Sequence, residues 1–305
     1  MARWTVDDAL RVTARFAEWL ETGDANRLAQ NHVWCFIDHP DEDDDLRQLA
    51  GRSNAALAQE MRTQSPIWCD PGMVDLLAAA TAELPEVEPV EEHHLPHPRA
   101  GMVLFSKPLP TDWSGAMDED GQRKEFHEEI SAITWERPFT NRWVIRSWCR
   151  GAGVFNLTGG TGRIRCPDLR PSPVVELLGE NHPATPVSKI LIALTALTRT
   201  SGVVGQSDER ASKAARHVAR KAGLMDHRVR RLYLQKADSG ALELDALRAQ
   251  RQGTPRGHWV RGHWRHTWFS SVEERHWQWV EGFPRGDFTK GAVSGERIQV
   301  ARKQG

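Results

Sequence analysis

Arginine and histidine recur with tryptophan along Gly257-His258-Trp259-Val260-Arg261-Gly262-His263-Trp264-Arg265-His266-Thr267-Trp268, and again in Arg275-His276-Trp277-Gln278-Trp279-Val280. Five of the chain's 13 Trp and four of its 13 His stand between His258 and Trp279. A guanidinium is a planar fork that takes phosphate or carboxylate bidentately. An imidazole titrates near neutrality and can move protons. Aromatic faces offer platforms on which bases stack. Two chemistries are open to such a set. It could hold an anionic partner, or His258, His263 and His266 with Arg261 could cleave a phosphodiester as a metal-independent ribonuclease.

Positioning these groups requires strands. With side chains alternating between faces, Val260, Trp264 and Trp268 share one side, and Arg261, His263 and Arg265 share the other. Trp277 and Trp279 likewise oppose His276 and Gln278, and Phe269 to Glu274 reads as a hairpin loop. A structural role for the rings is the competing reading, since Trp and Arg pair across strands and cover half-buried sheets.

A second basic element lies upstream. Ser207 reads as a helix cap, with Asp208 and Glu209 in the first turn and Gly223 just past the end. Ala211, Ala215, Val218 and Ala222 make its packing stripe, and Lys213, Arg216, His217 and Arg220 share the opposite face at helical spacing. Between Lys213 and Lys236 the only acid is Asp226, and His227 to Leu234, containing Arg228 and Arg230, reads as a strand. The candidate binding residues are therefore Lys213, Arg216, His217, Arg220, Arg228, Arg230, Arg261, His263 and Arg265. If helix and hairpin form one surface, they grip one anionic partner.

The totals frame these motifs. The 305 residues are 39% hydrophobic and 27% charged, enough for a core in one large or two ordinary domains. Basic and acidic residues number 40 and 41, so the overall charge says nothing of partners. Its distribution does, because six acids fall between Asp38 and Asp45, far upstream of the basic segment. Cys35, Cys69, Cys149 and Cys166 stand apart without a C-x-x-C, as reduced core thiols of a cytoplasmic protein do. The longest apolar run, Ile190 to Leu197, is too short to cross a bilayer. No pattern calls for a cofactor. His93, His94 and His97 do not make a metal site, because prolines forbid the helix that would align them.

Along the chain, Thr5 caps a helix to Leu20 that Gly23 ends, and His32 to Ile37 reads as a short buried strand. The acidic run is a solvated loop or a helix start. Helices follow at Asn54 to Thr63 and Pro71 to Ala82, then a Pro/Glu-rich linker from Glu83 to Pro98. Gly101 to Leu109, Glu129 to Arg137 and Arg142 to Cys149 form an antiparallel meander, with turns at Trp113-Ser114-Gly115 and Asp118 to Gly121. Gly159 to Gly162 lacks the Lys-Ser/Thr of a phosphate loop and reads as a turn. The helix opened by Thr185-Pro186 leaves little polar surface and belongs in the core. Ala241 to Arg251 is a loop or short helix.

This order carries a resemblance. An apolar helix precedes a basic helix ending in Lys221-Ala222-Gly223, then come Arg228-Val229-Arg230-Arg231-Leu232, Arg261-Gly262-His263-Trp264 with Trp268, and a second Trp-bearing strand. It resembles phage and mobile-element proteins related to the type V-A anti-CRISPR that suppresses biogenesis of its target nuclease. The likeness covers the chain from Thr185 on and, before that, the run around Trp68-Cys69 and the meander. It implies an accessory protein of a phage or mobile element, acting in the host cytoplasm on a host protein, a nascent peptide, its message or the ribosome. It supplies no catalytic residue.

The expected fold is α+β, an antiparallel sheet with packed helices and a Trp-rich C-terminal β-hairpin, since strands and helices do not alternate as a doubly wound sheet requires. Residues 1–98 form an N-terminal helical, acidic region and 99–305 the α+β domain, or the two are continuous. The expected function is binding of RNA or a translation-associated peptide or ribonucleoprotein through the basic Arg/His surface. Alternatives are the ribonuclease and a structural phage protein without nucleic-acid affinity.

Overall fold

In a computed structural model the described residues are 3–34, 43–84, 94–96, 100–117, 123–139, 142–151, 153–156, 163–178, 186–200, 203–235, 256–260, 263–269, 274–280, 283–285 and 287–293. The chain opens with helices α1 (Val6–Leu20), α2 (Gly23–Trp34) and α3 (Asp43–Thr63), followed by strand β1 (Ile67–Cys69) and helix α4 (Pro71–Ala82). The meander is β2 (Ala100–Met117), β3 (Arg123–Phe139) and β4 (Arg142–Arg150). Strands β5 (Gly153–Asn156), β6 (Arg163–Cys166) and β7 (Leu169–Leu178) lead to α5 (Pro186–Arg199). Then come β8 (Val204–Arg210), α6 (Lys213–Lys221) and β9 (Arg228–Leu234). The C-terminal strands are β10 (Arg256–Val260), β11 (His263–Phe269), β12 (Glu274–Val280), β13 (Phe283–Arg285) and β14 (Asp287–Val293).

Seven strands form one sheet in the order β7-β4-β3-β2-β1-β9-β8. The meander is antiparallel, whereas β1 runs parallel to both β2 and β9. The fold is α+β, with a mixed and mostly antiparallel sheet. Alternation along the strands gives it two apolar faces. Val103, Phe105, Ile133, Trp135 and Ile145 pack with α4 and α5, and every residue of α5 from Val187 to Leu197 except Lys189 is buried. Met102, Leu104, Ala132, Trp148 and Val229 pack instead under the α1, α3 and α6 layer.

Local chemistry explains several boundaries. Thr5 and Asp8 form a reciprocal capping box at the start of α1. Asp70 accepts from the Met73 N–H at 2.9 Å ahead of Pro71, which suits the first helical turn. Leu84 and Leu95, from the Pro/Glu-rich stretch, are buried in the core beside α4.

Four local expectations are corrected. His32, Val33 and Trp34 end α2 rather than opening a strand, and Gly23 starts that helix rather than closing α1, whose C-cap is Glu21. Trp113 to Gly115 continue β2 instead of turning. Ser207, Asp208 and Glu209 belong to strand β8, opposite Arg231, Arg230 and Val229 of β9. Asp208 and Glu209 pair diagonally across the strands with Arg228 and Arg231, each at 3.5 Å, and the helix begins only at Ser212, whose Oγ accepts from the Ala215 N–H at 3.3 Å. Cys35, Asp118 to Gly121, Gly159 to Gly162, and Ala241 to Arg251 lie outside the described residues. Cys69, Cys149 and Cys166 are buried cysteines. Among the described residues no helix is long and apolar enough to cross a membrane.

Candidate functional site

The basic face of α6 is built by its packing stripe. Ala215 and Ala219 are fully buried, and the helix runs alongside α1. The Ser212 N–H donates to Asp7 at 2.7 Å at one end, while Arg62 Nε donates to the Ala222 carbonyl at 3.2 Å at the other. Gly223, with φ +80°, takes the left-handed position that ends the helix. With its small residues turned inward, α6 leaves Lys213, His217, Arg220 and Lys221 exposed and Arg216 half-buried. Lys213, Arg216, Arg220 and Lys221 make no ion pair among the described residues. Arg220 and Lys221 sit in the last turn, where the helix dipole favours cations.

The strand cations differ. Arg228 forks onto Asp226 with both contacts at 3.1 Å and lies 3.5 Å from Asp208. Partial burial would raise the Asp226 carboxyl, but hydrogen bonds from the Arg228 side chain, Ser65 and the Arg228 N–H outweigh it and hold the group at about 2. Arg231 bridges Asp70 at 3.1 Å and Glu209 at 3.5 Å, and lies over the rings of Trp68 and Tyr233. Arg230 is exposed and unpaired among the described residues. Thus Arg228, a candidate for the binding surface, is largely neutralised in place.

This clamp has a pH signature. A carboxyl held below its unfolded value of about 3.9 adds stability above that value and loses it as pH falls towards about 2. The parent should therefore melt above Asp226→Asn at neutral pH, and the gap should close between about pH 4 and 2. Melting curves across that range check it; a constant gap would mean the carboxylate charge is not what stabilises the loop.

The hairpin residues are placed by their rings. β11 pairs antiparallel with β12 and sets Trp264 opposite Trp279, the rings meeting edge-on at 5.2 Å. Trp264 donates its Nε1–H to the Ala80 carbonyl at 2.8 Å, and both rings join the α4 and α5 core. The structural reading therefore holds for these two. His263 and Arg265 are exposed on β11. Arg261 lies outside the described residues.

The expectation of one surface is corrected. α6 packs in the layer beneath which Val229 and Trp148 lie, whereas Trp264 and Trp279 belong to the layer across the sheet. The sheet separates Lys213, Arg216, His217 and Arg220 from His263 and Arg265. Lys221, read in sequence only as the end of the basic helix, joins the candidate residues, and the sequence reading did not include a cavity of about 380 Å³ beside the segment that leaves α6. Residues from Thr13 to Arg230 line it, and no local pattern could have announced it.

Fold and surface together define an α+β protein with an unneutralised basic helix and, among the described residues, no group of three metal-ligating side chains. No protein-family model and no curated protein matches the chain. Among solved structures it is similar to AcrVA2, at 15% identity and a TM-score of 0.34, over 90% of this chain and 93% of that one.

Proposed function

We propose that the chain is a phage or mobile-element accessory protein of anti-defence type that binds RNA, or an RNA-bearing translation complex, through the basic face of α6. One observation carries the binding reading: Lys213, Arg216, Arg220 and Lys221 stand on nine residues of one helix with no acidic partner among the described residues. A solvated face is usually balanced by interspersed acids, and here the acids that could have balanced it are spent on β8 and β9. A row of unpaired cations attracts a polyanion and releases its counterions. The resemblance of Lys221-Ala222-Gly223 and Arg261-Gly262-His263-Trp264 to the anti-CRISPR-related proteins supplies the class. His263 and Arg265 would serve a separate contact across the sheet.

Reversing two exposed residues of the row, Lys213→Glu with Arg220→Glu, should leave stability within about 0.5 kcal/mol per site, as for most surface changes. The affinity for single-stranded RNA should fall roughly tenfold or more in low salt. Gel shifts with labelled RNA of constant length read this directly. Unchanged affinity in the folded variant would remove α6 from the interface, and shortened RNA would indicate cleavage instead of binding.

A further inference from the structure

We propose that the cavity beside α6 is a pocket for one unstacked base of a single-stranded RNA, a reading that rests on the RNA-binding function above. Its walls are apolar and aromatic in part, formed by Met61, Ile67, Met102 and Trp135. Gly101 makes the Trp135 wall possible, since a Cβ there would lie 2.6 Å from the indole. At about 380 Å³ the space is of small-molecule size, and Thr13, Thr63, Gln64, Ser65, Asp226 and Arg230 set a largely polar lining beside those apolar walls.

The polar groups point to the guest. The Thr13 hydroxyl is 1% exposed, lines the cavity from α1, and has no hydrogen-bond partner. An unpaired buried hydroxyl is costly, and a guest able to donate or accept would satisfy it. Asp226 offers nothing further, because four hydrogen bonds from Ser65 and Arg228 fill its carboxylate lone pairs. Its ionised state disfavours an acidic guest. The pocket therefore fits a neutral, planar, hydrogen-bonding ring. Exposed Arg230 at the rim could meet the phosphate attached to such a ring.

Placement joins this pocket to the basic helix. Asp226 follows the Ala222 cap of α6 by four residues, and Met61 precedes Arg62, which holds that cap. Thr13 stands on α1, the helix against which α6 lies. A strand gripped by Arg220 and Lys221 thus runs beside an opening that accepts a neutral ring. An acidic peptide could use the cations but not the pocket. Sequence-specific RNA recognition commonly takes unstacked bases in this way, hydrogen-bonding their edges and packing their faces.

The test compares oligocytidylate and oligoadenylate with an abasic ribose-phosphate oligomer of equal length and charge. For the parent, the base-bearing oligomers should bind roughly 5- to 100-fold more tightly, the range for one base taken onto an aromatic site. Thr13→Val keeps the shape and deletes the orphan hydroxyl, so it should fold at least as well as the parent. It should lose several-fold affinity for the base-bearing oligomers and none for the abasic one. Lys213→Glu with Arg220→Glu should weaken all of them alike. Equal binding of abasic and base-bearing oligomers by the parent overturns the base pocket while leaving the α6 reading intact. No binding of any oligomer overturns both. Competition by an apolar peptide but not by cytidine or adenosine assigns the pocket to a peptide side chain and also overturns the proposal.

Discussion

Trp148→Ala should lower the free energy of unfolding by about 3–5 kcal/mol, the cost of emptying a large buried aromatic site. Trp148 is 1% exposed and lies on the sheet face that carries the α1 layer. The Phe16 and Trp19 rings of α1 meet it edge-on, at 4.8 Å and 5.9 Å. Its Nε1–H donates to the Thr134 hydroxyl at 2.9 Å, so the truncation also orphans a buried hydroxyl. The loss should appear as a lower urea midpoint with an unchanged slope. Because α6 reaches the sheet through the same apolar layer, the basic face should loosen along with it. A change under about 1 kcal/mol would show that the layer can collapse onto the vacancy and that α1 is not fixed by these rings.

The second large effect comes from a buried ion pair. Glu136 and Arg146 lie diagonally across adjacent strands, 2% and 5% exposed, and form a charge-assisted hydrogen bond. Taking both charges from water is costly, and the attraction repays it only while both are present. Glu136→Leu leaves a guanidinium stranded in the core and should cost about 3–5 kcal/mol. Glu136→Leu with Arg146→Met removes both charges and should recover most of that loss, or exceed the parent. Chemical denaturation of the two variants and the parent reads the cycle. If the double variant is as unstable as the single one, the pair stabilises through more than charge matching.

Much of the scaffold was legible because its signals are local. The Thr5 cap, Pro71 at a helix start, the apolar length of α5 and the alternation in β2, β3 and β4 each act within a few residues. The errors arose where distant partners decide. Ser207-Asp208-Glu209 has the composition of a helix start, yet β9 offers Arg228 to Asp208 and Arg231 to Glu209 and holds the segment as a strand. His32 to Trp34 has strand-forming residues, but the helix already running from Gly23 carries them.

The candidate site divides the same way. The spacing of Lys213, Arg216, His217 and Arg220 is a property of the segment itself. Which arginines are already neutralised is not, since Asp70 and Glu209 reach Arg231 from other elements. The cavity needed α1, α3, β2, β3 and β9 to meet. The sheet that separates α6 from the hairpin is likewise a property of the whole chain.

The salt dependence of RNA binding reads the contribution of α6. Each phosphate neutralised on a single strand adds about 0.7 to the slope of log affinity against log salt. Neutralising two residues of the α6 row, Lys213→Gln with Arg220→Gln, should therefore flatten that slope by about 1.4 while the protein stays folded. A slope identical to the parent's would contradict the account, because the affinity would then not pass through α6.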